Sequence, residues 1–260
     1  CDDGRARLWN PRDGARVATL EGTSAVHALA FSPDGALLVT GGARGAVEVW
    51  DARAHAKLST LTPAHAAAVT QIVFDRDRRR VWTASDDGVV RFWDARLGRL
   101  LATLGEAAHD GHTDAITALR LSDDGARVLT ASADGTARLW NTSSARLIAT
   151  LRGHVGAIRD ADMTPDATRV VTAGDDGTVR LFHAHAGDAM AVFDGFDAAV
   201  TRVRFSPDGM TAWAGAADGV VRALPAHPER LLARACAVVD RSSLTPQARR
   251  ACAQPTLPMR

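Results

Sequence analysis

His112 to Trp140 reads HTDAITALRLSDDGARVLTASADGTARLW, and the rest of the chain is a set of variations on this stretch. Ile116 to Leu121 alternates at the period of a strand, Asp124-Gly125 supplies a turn, and Arg127 to Thr130 returns. Asp134-Gly135 turns again, and Thr136 to Trp140 closes a three-stranded antiparallel meander. In that arrangement the connection into the first strand and the second tight turn lie at the same end of the sheet. His112 and Asp134 therefore meet there, with Thr130 and Trp140 on the strands between them. A His donating to the Asp, and a Thr hydroxyl linking the imidazole to the Trp N–H, satisfies four polar groups that burial otherwise leaves costly. The expectation is a structural network rather than a reactive site.

The third strand recurs six times, as ARLW ending at Trp9, VEVW at Trp50, VRFW at Trp93, ARLW at Trp140, VRLF at Phe182 and VRAL at Leu224. The steps are 41, 43, 47, 42 and 42 residues. A period near forty with four short strands per repeat is the pattern of a β-propeller blade array. Fourth strands are expected at Val17 to Leu20, Lys57 to Leu61, Leu100 to Leu104, Leu147 to Leu151 and Met190 to Phe193. The predicted fold is all-β, with four-stranded antiparallel blades. Six blades are visible: the first has only its two outer strands, and the sixth has three and no fourth. Residues 1–227 form the propeller segment and residues 228–260 a short α-helical C-terminal tail.

Trp50-Asp51 and Trp93-Asp94, with Gly111-His112 and Gly153-His154 at the other end of the unit, resemble the WD-repeat (WD40) family over residues 1 to about 227. The resemblance implies a buried tetrad in which His to Thr spans 18 residues, Thr to Asp 4 and Asp to Trp 6. Two sets fit in full: His65, Thr83, Asp87 and Trp93, and His112, Thr130, Asp134 and Trp140. A partial set keeps His154, Thr172 and Asp176 with Phe182 in place of Trp. In the other two repeats the places fall on Thr23, Thr40, Arg44 and Trp50, and on Phe196, Ala214, Asp218 and Leu224.

The resemblance also implies a partner-binding face at one end of the channel, formed by residues just after the His position and just before the Asp. Those positions are His27 and Ala43, Thr70 and Asp86, Thr117 and Ala133, Arg159 and Asp175, and Thr201 and Ala217. The connection from Leu104 to His112 is five residues longer than that from Leu151 to His154. This insertion, Glu106 to Asp110 with His109 inside it, is added to the candidate face because loops carry function more often than scaffold does.

Other constellations give way to plainer readings. A His–Asp–Thr set invites a hydrolase with a Thr nucleophile, but the set recurs in several blades and is expected inside a sheet where no substrate reaches it. No catalytic residue is assigned. Arg7, Arg91, Arg138, Arg180 and Arg222 sit two residues before the Trp position, with Glu48 in the sixth copy, and are expected to lay their stems against the neighbouring blade. Gly41, Gly42 and Gly45 precede a strand, whereas a phosphate cradle needs a helix N-terminus. His183, His185 and His227 lack the spacing of a metal site and read as solvated loop residues. No cofactor and no metal are expected.

At 260 residues, 46 % hydrophobic and with a net charge of +1, the chain has the composition of a soluble globular protein with a large core. Lys57 is its only lysine, an Arg and Ala bias that suggests GC-rich coding and not a nucleic-acid partner. Cys1, Cys236 and Cys252 are too few and too scattered to form a disulfide framework, and a reducing cytoplasm is the simpler expectation. The chain opens on Cys1 just before an Asp-Gly turn, so it is expected to be a fragment. One further repeat upstream would supply the first blade's missing inner pair and the sixth blade's missing outer strand, giving seven blades, with a longer double propeller as the alternative.

In the tail, Leu231, Leu232, Ala235, Cys236 and Val239 fall at helical spacing, Thr245-Pro246 starts a second short helix, and Pro255 and Pro258 end it. This tail resembles the C-terminal extension of bacterial multidomain signalling proteins, some with a kinase or signalling nucleotidase upstream. The functional expectation is a non-catalytic protein-interaction scaffold or sensing module of such a protein, with protein partners, no nucleic acid and no membrane segment. The rival expectation is a hydrolase-like propeller enzyme with its site at the channel mouth.

Overall fold

The computed structural model describes residues 1–75, 80–105, 110–227, 229 and 231. Strands follow one another through tight turns. The first sheet pairs β1 (Arg5–Trp9) with β2 (Arg16–Glu21). The second is β3 (Val26–Phe31), β4 (Leu37–Gly42), β5 (Val47–Asp51) and β6 (Ala56–Leu61), and the third β7 (Val69–Phe74), β8 (Arg80–Ser85), β9 (Val90–Asp94) and β10 (Arg99–Leu104). The fourth is β11 (Ile116–Leu121), β12 (Arg127–Ser132), β13 (Ala137–Asn141) and β14 (Leu147–Leu151), and the fifth β15 (Ile158–Met163), β16 (Arg169–Gly174), β17 (Val179–His183) and β18 (Ala189–Phe193). The last has three strands, β19 (Val200–Phe205), β20 (Thr211–Ala216) and β21 (Val221–Pro225).

Every sheet is an antiparallel meander, so spatial order equals chain order. The first strands of sheets two to six lie side by side, β3 against β7, β7 against β11, β11 against β15 and β15 against β19, and so form the inner wall of a channel. The second and third strands carry the core. Along β12 the side chains from Val128 to Ser132 are all buried, because this central strand has a sheet face on either side. Phe182, Ala161 and Met163 of the fifth sheet pack with Leu129, Leu139 and Leu151 of the fourth.

In the second sheet the turn before the third strand tolerates only glycine. At Gly45, with φ of 80°, an added Cβ would lie 1.9 Å from the carbonyl oxygen of His65 in the next sheet. This close approach recurs at Gly88 against His112 and at Gly177 against Phe196, so the turn glycine of one sheet seats the entry to the next.

The fold is the expected one: four four-stranded sheets between a two-stranded and a three-stranded one. Most of the tail, from Leu232 on, lies outside the described residues. Of that tail, Glu229 and Leu231 are helical, Leu231 N–H donates to the carbonyl of His227 at 3.0 Å, and its side chain packs on the core of the last sheet. Among the described residues, no helix is long and apolar enough to cross a membrane.

Candidate functional site: the buried tetrads and the channel mouth

The His-bearing connection and the turn before the third strand meet at one end of each sheet. In the fourth sheet His112 Nδ1–H donates to Asp134 Oδ2 at 2.9 Å, and the Thr130 hydroxyl lies 2.8 Å from Nε2. Trp140 Nε1–H donates to the same hydroxyl at 3.0 Å. A carboxylate can only accept, so it fixes the proton on Nδ1 and leaves Nε2 to accept from Thr130. The His112 side chain is 1 % exposed, and burial holds its pKa below the usual imidazole value although Asp134 pulls the other way. It is therefore neutral. Burial raises the Asp134 carboxyl, but hydrogen bonds from His112 and Thr136 outweigh this and hold it well below the usual carboxylate range.

The fifth sheet repeats the geometry: His154 Nδ1 is 3.0 Å from Asp176 and Nε2 is 2.8 Å from Thr172. Burial raises the Asp176 carboxyl, yet the bonds from Val155 N–H, His154 and Thr178 bring it down to about 2. Phe182 ends the relay, since it has no N–H to give. In the third sheet His65 reaches Thr83 at 2.8 Å, and Trp93 Nε1–H donates to Thr83 at 2.9 Å. There the His65–Asp87 separation opens to 3.2 Å, and the Arg91 guanidinium reaches both partners.

The guanidinium groups of the arginine series have partners of their own, beyond the expected packing of the stems. Arg91 caps the His–Asp pair of its own sheet, and Arg180 approaches Asp176 at 4.0 Å. Arg138 instead donates to the carbonyl of Asp110, and Arg222 lies 4.7 Å over the ring of Phe196, which stands in the His place.

The second sheet also departs from the expected assignment. Leu29 pairs with Thr40 as Leu119 does with Thr130, and Gly22 N–H donates to Gly4 as His65 N–H does to Gly45. The residue in the His place is therefore Gly22 and not Thr23, one position earlier. The space is taken by Glu48: a Cβ on Gly22 would lie 2.8 Å from its carboxylate. Glu48 is 3 % exposed and pairs with Lys57, so the one lysine of the chain neutralises the one acid in the arginine series. Trp50 Nε1–H still donates to Thr40 at 2.9 Å, while Arg44 is exposed.

At the same end of the sheets, the inner strands surround a hollow of about 460 Å³ lined by Thr70, Asp86, Thr117, Arg159, Asp175 and Thr201, among others. Six of the candidate partner-binding residues are thus brought together. Ile116, Ala199 and Arg202 complete the lining, and Arg202 is one that the positional rule missed. It follows the rule's position by one residue, and only the packing of the sheets shows that it reaches the wall.

His27 is exposed on β3 and does not line this hollow. Glu106 and His109 lie outside the described residues. Asp110 is half-buried, and its carbonyl is held by Arg138, which ties the end of the insertion to the sheet.

The threonines of the mouth have structural work. Thr70 Oγ1–H donates to the Ile116 carbonyl at 2.9 Å, and Thr117 Oγ1–H to that of Ile158 at 2.7 Å, each across to the next sheet. An inner strand has one unpaired edge, and these hydroxyls satisfy its carbonyls. Deeper in the channel Asp160 does the same for N–H groups, accepting from Val203 N–H at 3.2 Å while holding Arg120 at 2.8 Å and Arg204 at 2.6 Å. Asp162 accepts from Phe205 N–H at 2.9 Å, and burial holds its carboxyl above the usual range. It borders a smaller hollow of about 220 Å³ at the opposite end. Among the described residues, no group of three or more His, Cys, Asp or Glu could hold a metal ion.

A family model described as WD domain, G-beta repeat, matches residues 98–141 and 145–183. A second, described as Nucleolar protein 10-like, N-terminal domain, matches residues 1–112. No curated protein matches the chain. The two matches support WD40-type repeats in the segments they cover, and with the repeated four-stranded sheets a β-propeller is the fold of the described residues.

Proposed function

We propose that this propeller segment is a non-catalytic protein-interaction module whose working surface is the channel mouth. WD40 propeller domains generally mediate protein–protein interaction and are typically scaffolds. The observation that carries the reading is the contrast between two groups of polar residues. The His–Thr–Asp sets are buried and mutually satisfied, with the His112 side chain 1 % exposed, whereas Asp86, Arg159, Asp175 and Arg202 are exposed around a shared concavity. A chemistry-bearing set closed to solvent stabilises, and an open polar concavity recognises.

The finer reading is a sensing or scaffolding arm of a larger bacterial signalling protein in a reducing cytoplasm. It rests on the resemblance of residues 228–260 and on the sparse cysteines. The match to a family described as nucleolar protein 10-like lends it no support.

The test is site-specific photo-cross-linking in cells. A benzophenone amino acid at Ala199, in the wall of the mouth, should capture a discrete protein. The same probe at Leu97, 73 % exposed on the turn between β9 and β10, should not. Capture from Leu97 and none from Ala199 would place the working surface elsewhere.

A further inference from the structure

The polar groups around the mouth are not equally free to meet a partner. Arg159 lays a fork on Asp175, with Nε at 2.5 Å from Oδ1 and Nη2 at 2.6 Å from Oδ2, so these two charges cancel within the wall. The hydroxyls of Thr70 and Thr117 are spent on strand carbonyls of the next sheet, and Thr201 reaches the carbonyl of Gly215 at 3.3 Å.

Two charges are left. Asp86 is exposed on the turn between β8 and β9, and among the described residues its carboxylate has no hydrogen bond or ion pair. Its backbone N–H alone is bound, to the carbonyl of Ala68. Arg202 is exposed on β19, and its guanidinium donates to the carbonyl of Thr201 at 2.8 Å and, among the described residues, to no carboxylate. The two lie on the third and sixth sheets, at the ends of the arc of inner strands that borders the hollow, and do not pair with each other.

Covering a charge without supplying its opposite costs more than the contact returns. A neutral segment seated in this mouth leaves two uncompensated charges, and a purely basic or purely acidic one leaves one and is repelled by the other. We propose, building on the mouth as the binding surface, that the segment it takes is dipolar: one basic side chain against Asp86 and, a few residues along, one acidic side chain against Arg202. The orientation of the segment follows, since reversing it would bring like charges together at both ends.

The probes are fluorescent synthetic peptides of about eight residues, ~25 Å when extended, made of Gly, Ser and Ala. They carry one Arg and one Glu in either order at spacings of one to three intervening residues, with Arg-only, Glu-only and uncharged controls. By anisotropy at low ionic strength, one order of the mixed peptide should bind about fivefold more tightly than either singly charged control. Asp86→Lys and Arg202→Glu should each remove that preference. The double variant Asp86→Lys/Arg202→Glu should prefer the opposite order.

Both side chains are exposed, so thermal midpoints should stay at the parent value and show that the variants are folded. Equal binding of all peptides, absence of binding by every peptide, or an order preference that survives the charge reversal would overturn the dipolar assignment. None of these results touches the mouth itself as a binding surface, which stands or falls on cross-linking from Ala199.

Discussion

Replacing Asp134 with Ala removes the acceptor at the centre of the best-formed tetrad. The Asp134 side chain is 6 % exposed and accepts from His112 Nδ1–H, Thr113 N–H, Thr136 N–H and the Thr136 hydroxyl. Thr113 is exposed, so water can take over as acceptor for its amide, whereas Thr136 is buried and loses its acceptor together with the imidazole. The 1 % exposed imidazole has no such recourse. An unsatisfied buried donor costs about 1 to 3 kcal/mol, and a lost bond to a charged acceptor about 1.5 to 3, so the expected destabilisation is about 3 kcal/mol. For a chain of this size that is roughly a 6 to 12 °C fall in thermal midpoint.

Asp218 is the matched control. It is exposed, accepts from Val220 N–H at 3.0 Å, and has Phe196 in its repeat where a His would stand, so Asp218→Ala should change stability by less than about 0.5 kcal/mol. Calorimetry and urea titration of the two variants decide the matter. Equal midpoints would refute the assignment of Asp134 to a stabilising network.

Three further outcomes are expected. Stability should be level at and above pH 7 and fall as pH drops below 6.5, because burial keeps the folded-state pKa of His65, His112 and His154 below that value and the unfolded chain binds the extra protons. A second loss should begin below about pH 4 as Asp87, Asp134 and Asp176, all depressed in the fold, take up protons on unfolding; midpoints measured from pH 8 to 3 that show no change until pH 4 would contradict the first step.

Lys57→Met should destabilise by about 2 to 3 kcal/mol by stranding buried Glu48, whereas Glu48→Gln/Lys57→Met should recover most of that loss; additive effects in urea titrations would show that the pair is not coupled. Gly45→Ala should cost at least about 3 kcal/mol through its clash with the His65 carbonyl, while Gly35→Ala, at a similar positive φ but with nothing within 4 Å, should cost about 1 kcal/mol; equal losses would remove the close approach as the reason for Gly45.

The strands, the turns and the tetrads of sheets three to five were legible because each is local: alternation, an Asp-Gly pair and a fixed spacing within one repeat are properties of contiguous residues. The second sheet shows where that reading slips. Thr23 stands 17 residues before Thr40, one short of the 18-residue His-to-Thr spacing, and strand register, set by the pairing of Leu29 with Thr40, assigns the place to Gly22. Glu48 and Lys57 stand apart in sequence from Gly22, and nothing in their own repeat shows that a missing imidazole leaves room for a carboxylate.

The channel was less legible for the same reason. Thr117 lines the hollow, yet its hydroxyl is consumed by the carbonyl of Ile158 on the next sheet. Asp160 gathers Arg120 and Arg204 from the two flanking sheets, a meeting set by how blades pack and not by any spacing within one. Arg202 belongs to the same class, since its place in the wall depends on the packing of neighbouring sheets.

The most direct measurement of the central claim is a titration of the partner captured from Ala199 onto three purified proteins: the parent, Ala199→Arg in the wall of the mouth, and Leu97→Arg on the outer turn. The expected result is that Ala199→Arg abolishes binding with an unchanged thermal midpoint, while Leu97→Arg binds as the parent does. Full binding by Ala199→Arg, with loss in Leu97→Arg, would contradict the mouth as the working surface of this propeller.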